Sequence, residues 1–182
     1  MSFQCVRGRR YFMVGHLRIH DRKRQRNERN RKRCNGLLAV DAVTGEEYLR
    51  LRDKAKALDV SEYLTELVLD CVKGGYSKLS VILDNCKTHK KKMRELLAHA
   101  LSETGVGQKI VIEFVDLPAY SPNFNLVEYI IHQIRLQILH HQPIGMTLEQ
   151  VKARLEQHLQ KGQMQTKQQI QNILKHIWSL AA

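Results

Sequence analysis

The chain has 182 residues, enough for one domain with a real apolar core and too few for two comfortable ones. Its hydrophobic fraction of 43% is ordinary for a globular protein, and no run approaches the roughly 20 apolar residues a membrane-spanning helix needs, which excludes a bilayer span. Thirty Lys and Arg against eighteen Asp and Glu give a formal charge of +12, an imbalance that attracts polyanions and points to nucleic acid as partner.

The N-terminal MSFQCVR has no apolar segment ahead of a small-residue cleavage site, so it does not read as a secretory signal, and the cytoplasm is the expected compartment. Residues 10–17 (RYFMVGHL) predict a strand. Residues 22–33 (RKRQRNERNRKR) follow, with eight basic residues, one acid and nothing apolar, and cannot pack into a core. Two readings stay open for this run: a solvated hairpin loop, or an arm in which Arg22, Lys23, Arg24, Arg26, Arg29, Arg31, Lys32 and Arg33 grip DNA phosphates.

Residues 36–40 (GLLAV) and 48–51 (YLRL), on either side of a turn at Val43 to Glu46, suggest an antiparallel hairpin. The period then changes. Leu64, Leu67, Val68, Cys71 and Val72 recur at helical spacing behind Ser61, a candidate N-cap, and Gly74 and Gly75 end the helix. Residues 79–83 (LSVIL) read as a strand covered on both faces, running straight into Asp84. A carboxylate at a strand's C-terminal end lies where open α/β sheets place their chemistry.

Met93, Leu96, Leu97, Ala100 and Leu101 mark a second helix over residues 90–102, and residues 110–117 (IVIEFVDL) another strand. Pro118 and Pro122 bracket a tight loop, after which apolar residues return at helical spacing from Leu126 to about His140, with Glu128 in the first turn. Thr147 with Gln150, and Thr166 with Gln169, match the capping box and predict two terminal helices, to about Leu159 and Trp178. The four cysteines, Cys5, Cys34, Cys71 and Cys86, show no metal or disulfide spacing, and His16, His20, His140 and His141 do not share a helical face suited to a metal.

Glu128 follows Asp84 by 44 positions, an interval that holds one helix and one strand, so both acids can face one cleft. Two converging acids beside a basic surface suit a divalent cation that keeps open positions for water and phosphate, and so suit phosphoryl transfer. Taken singly, each acid is equally well a turn former or a helix N-terminal charge.

Residues 81–89 (VILDNCKTH) resemble the "D-N-a-x-x-H" segment of mariner-superfamily DDE transposases and their bacterial insertion-sequence relatives, and residues 117–128 (LPAYSPNFNLVE) resemble their "L-P-x-Y-S-P-x-L-N-P-I-E" signature. Arg7-Gly8, Asn35 to Asp41 and Thr44-Gly45-Glu46 are similar to further family segments in the same order, so the resemblance covers residues 7 to about 150.

What the resemblance implies is an α/β fold, an RNase H-like mixed sheet flanked by helices, over residues 1–145, with the basic loop at 22–33 and C-terminal helices over 146–182. It implies an enzyme that cuts and joins DNA, transposon ends to target, with Mg2+ or Mn2+ held by three acids. Asp84 and Glu128 carry over as the second and third. Asn85 and His89 also match, as groups behind the acids or on phosphate, against the plainer alternative of a turn Asn and a helix N-terminal His.

Two departures stand out. Leu126 replaces the family's Pro, and no acid precedes Asp21, so the chain reads as a truncated C-terminal part whose sheet lacks its first, central strand. Asp41 is the candidate substitute for the first acid, and a companion N-terminal chain or a homo-oligomer on DNA the candidate partners. The alternative is an inactive DNA-binding or interaction protein derived from a transposase. Association with the nucleoid follows from either reading.

Overall fold

The computed structural model describes residues 8–20, 33–84, 86, 89–118, 121–140, 142, 143, 145–160 and 165–180. Three strands come first, β1 (Arg9–His20), β2 (Arg33–Asp41) and β3 (Glu47–Arg52), followed by helix α1 (Ala57–Lys73). Strand β4 (Lys78–Leu83), helix α2 (Lys91–Glu103) and strand β5 (Val111–Asp116) complete the sheet. Helices α3 (Leu126–Ile134), α4 (Leu148–Gln160) and α5 (Lys167–Ser179) close the chain.

The five strands lie in the order β3-β2-β1-β4-β5. Strand β1 pairs antiparallel with β2 and parallel with β4, and β4 pairs parallel with β5, so β1 is the centre of an RNase H-like mixed sheet. This corrects the expectation of a sheet without its central strand. Residues 9–20 fill that place, which requires burial on both faces: Phe12 and Val14 point to one core, Met13, Leu17 and Ile19 to the other. No inner edge is left open between β2 and β4.

Helices α1 and α2 cover one face, where Phe12, Val14, Leu79, Val81 and Leu83 meet Leu64, Leu67, Val68, Met93, Leu97 and Leu101. The i, i+3, i+4 rhythm read from the sequence is the buried face of α1. Its start differs from expectation: α1 begins at Ala57, where the Asp59 carboxylate accepts from the Lys56 amide at 2.8 Å, and Ser61 is buried in the helix and donates to the Leu58 carbonyl. An acid at the third helical position caps from inside, so Ser61 is not needed at the end.

The other face is covered by α3, and the C-terminal helices close that layer rather than standing apart as a tail. Val151 and Leu155 of α4 and Ile170, Leu174 and Ile177 of α5 are buried with Val127, Ile130, Ile131 and Ile134 of α3. At about 1.5–3 kcal/mol for each large aliphatic side chain taken from water, the five contributed by α4 and α5 bind those helices firmly to the domain. Both expected capping boxes form, with Thr147 and Thr166 accepting from the amides of Gln150 and Gln169 at 3.3 Å. Cys34 and Cys71 are buried, and burial pushes the Cys71 thiol up to about 11. No described helix is long and apolar enough to cross a membrane.

Candidate functional site

Strands β1 and β4 run parallel, with Val14 beside Leu83 as their last pair, so Gly15 and His16 of β1 emerge at the same sheet edge as Asp84. Helix α3 is brought to that edge by two devices. The buried Asn125 caps it, accepting from the Val127 amide at 3.2 Å, and donates to the Val14 carbonyl of β1 at 3.4 Å. At Gly15 the helix comes so close that a Cβ would lie 1.9 Å from Val127 Cγ1, so only glycine admits it. Glu128, one residue on, is thereby held over the strand ends.

An open cleft of about 390 Å³ results, and Asp84 and Glu128 both line it, with His16 and Arg18 from β1, His89 ahead of α2 and Arg135 from the end of α3. The two acids singled out from the sequence face one space. Residues Arg135–Leu139 form a π turn, with the His140 amide donating to the Arg135 carbonyl at 2.7 Å, an irregularity that recurs at functional sites.

The two carboxylates differ in surroundings. His89 is buried, 3% exposed, with Nδ1 2.6 Å from Asp84 Oδ1, and the Cys86 amide donates to the same oxygen at 3.2 Å. Burial works to raise the Asp84 pKa, but the His89 hydrogen bond and charge, the Cys86 amide and His16 outweigh it and hold the carboxyl below its ordinary range. Glu128 goes the other way: burial, joined by the charge of Asp84, pushes it up against the pull of Arg135. Burial, helped by Arg18 and His89, also lowers the pKa of His16, whose Nε2 lies 2.9 Å from Asn35 Oδ1.

Asp41 does not join this site. It is 1% exposed at the far end of β1, level with Phe12, where it accepts from Arg10 Nε at 2.7 Å and from the amides of Val43 and Thr44. Its role is to hold the turn after β2 against β1, which corrects its candidacy as the missing acid. His89 is buried with Nδ1 turned onto Asp84, so it stands behind the acid while forming part of the cleft wall. Arg22, Lys23, Arg24, Arg26, Arg29, Arg31, Lys32 and Asn85 lie outside the described residues; Arg33, the first residue of β2, is exposed.

Sequence reasoning missed Arg18, Arg135 and Asn125. A signal existed for the first two: along β1 the face carrying Phe12 and Val14 turns polar at His16 and Arg18, and Arg135 stands two helical turns after Glu128 on the same side.

Among solved structures the fold is similar to the Mos1 strand transfer complex, with a TM-score of 0.60 at 15% identity, covering 94% of this chain and 52% of that one. It is also similar to the simian T-cell lymphotropic virus intasome in complex with PP2A regulatory subunit B56 gamma, with a TM-score of 0.53 at 12% identity over 88% of this chain and 53% of that one. The chain thus spans about half the length of either. No curated protein matches it in sequence. Residues 6–152, from the segment before β1 into α4, match the family described as DDE superfamily endonuclease, and the chain belongs to that family.

Proposed function

We propose that the chain is the catalytic part of a DNA transposase, with Asp84 and Glu128 holding a divalent cation at a DNA phosphate for strand cleavage and strand transfer. The observation that carries this reading is the shared cleft of the two acids, placed at the C-terminal ends of parallel strands. The similar folds belong to a strand transfer complex and an intasome, which supports DNA as substrate and an assembly of several chains as the working form.

Enzymes of the DDE superfamily use divalent metal ions. Two partly exposed carboxylates in an open cleft fit one hard cation that keeps its remaining positions for water and phosphate oxygens, and Mg2+ or Mn2+ is the ion of that class. Among the described residues Asp84 and Glu128 are the acids that line the cleft, and Asp41, tied to Arg10, does not join them. A cation bound there would polarise a phosphate oxygen and an attacking water or hydroxyl. The chain's own contributions are orientation and charge. His89 fixes one Asp84 oxygen and keeps the group ionised, and Asn125 with Gly15 sets the distance of Glu128 from the strand ends.

A second reading, DNA binding without cleavage, is favoured by one observation: β1 carries no acidic residue at all. One assay separates the two. Supercoiled plasmid and a labelled duplex are incubated with the protein in Mg2+ and in Mn2+, with EDTA controls. Metal-dependent nicking that falls by at least about 100-fold in Asp84→Asn and in Glu128→Gln, the scale of several kcal/mol of charge stabilisation, supports catalysis. Salt-sensitive binding with no nicking in either metal supports the inactive form, and absence of DNA binding removes both.

A further inference from the structure

Two acids alone make a cleft that repels the phosphate it is to receive. What offsets them is on the same walls. Of the described arginines, Arg9, Arg10, Arg50, Arg52 and Arg94 are each tied to a carboxylate. Arg18 and Arg135 are not among them, and both line the cleft. They come from different elements. Arg18 extends the polar face of β1 two residues past His16, and Arg135 opens the π turn that ends α3, seven residues after Glu128.

We propose that Arg18 and Arg135 are the phosphate-holding pair of this cleft, gripping the DNA backbone on either side of Asp84 and Glu128. The proposal rests on the transposase reading for the identity of the ligand, and goes beyond it in naming the groups that seat the strand. A guanidinium suits this work because its planar fork meets two phosphate oxygens at once and stays charged at any working pH. The π turn supports the assignment, because the wider coil turns the chain at Arg135 instead of continuing the regular helix. Without the arginines the described walls of the cleft would set only His16 and His89 against the two acids.

The test reads binding rather than chemistry. Anisotropy of a short fluorescent duplex is followed in EDTA over a range of salt concentrations for the parent, Arg18→Gln, Arg135→Gln, the double variant, Arg18→Lys with Arg135→Lys, and Arg154→Gln as an exposed control outside the cleft. Circular dichroism checks that each is folded. Each cleft substitution is expected to weaken binding several-fold and to lower the slope of log affinity against log salt by about 0.9, the value for one phosphate contact. The lysine pair should keep the slope and lose part of the affinity, while Arg154→Gln stays with the parent. A double variant whose slope equals that of the parent, or an Arg154→Gln loss as large as that of the cleft variants, overturns the proposal. Nicking with an unchanged slope leaves the transposase reading standing and this assignment refuted; a lowered slope with no nicking does the reverse.

Discussion

The two ends of strand β1 place charge on the same face of the sheet and treat it in opposite ways. At the first end Arg10 and Asp41, with side chains 9% and 2% exposed, close on each other, while Glu46 and the Tyr48 hydroxyl take the remaining guanidinium donors and the rings of Phe12, Tyr48 and Tyr76 surround it. At the second end Asp84 is 43% exposed, paired on one oxygen with His89, and shares an open cleft with Glu128, Arg18 and Arg135. The first set of charges is satisfied within the chain and acts as a joint. The second keeps capacity for something from outside, and that difference, more than the identity of any one acid, separates a structural carboxylate from a functional one.

The most severe way to test the contrast is to break the closed end. Asp41→Ala leaves the Arg10 charge buried and frees two turn amides, and is expected to cost about 3–5 kcal/mol in urea denaturation, the range for removing one partner of a buried pair. Asp84→Asn, at a half-exposed position, should lower the urea midpoint at neutral pH by much less than Asp41→Ala does. Equal losses in the two variants would dissolve the distinction.

How much of this was legible in the sequence follows from the range of each interaction. The buried faces of α1 and α2, both C-terminal capping boxes and the Asp84 to Glu128 interval are local or motif-borne, and they stand in the structure as read. The place of residues 9–20 at the sheet's centre was not legible, because alternation tells which residues form a strand and says nothing of its neighbours. Asp41 was misread for a similar reason: its partner Arg10 lies 31 positions earlier, and nothing near Asp41 announces it. Arg18 was hidden by composition, since it borders the basic run at 22–33 and its own register on β1 appears only once the strand is known to continue to His20.

A subtler intervention moves the open end without touching a charge. In Gly15→Ala the new methyl would overlap Val127, so α3 must retreat from β1. Overpacking of this kind costs about 1–3 kcal/mol. Because Glu128 is the next residue on the helix, Mn2+ affinity read by calorimetry should fall together with the melting temperature. A loss of stability with metal affinity unchanged would mean that the glycine serves the core alone and does not set the position of Glu128.

The smallest expected effect is also the most specific, because it sets the two cleft acids against each other. Asp84 is held below its ordinary value of 3.8, so its ionised form favours the folded state; that contribution is complete above 3.8 and is lost as pH falls through the folded value. Glu128 is pushed above its ordinary value of 4.5, so its proton favours the folded state, and stability is lost as pH rises from 4.5 through the folded value. Urea midpoints measured across the acid range should therefore diverge with opposite sign. Asp84→Asn falls below the parent as pH rises and meets it in strong acid, whereas Glu128→Gln meets the parent in strong acid and rises above it toward neutrality. If both variants deviate in the same direction, the acids are not in the contrasting surroundings that His89 and burial give them, and the cleft does not hold one carboxylate charged in readiness while keeping the other reluctant until a cation arrives.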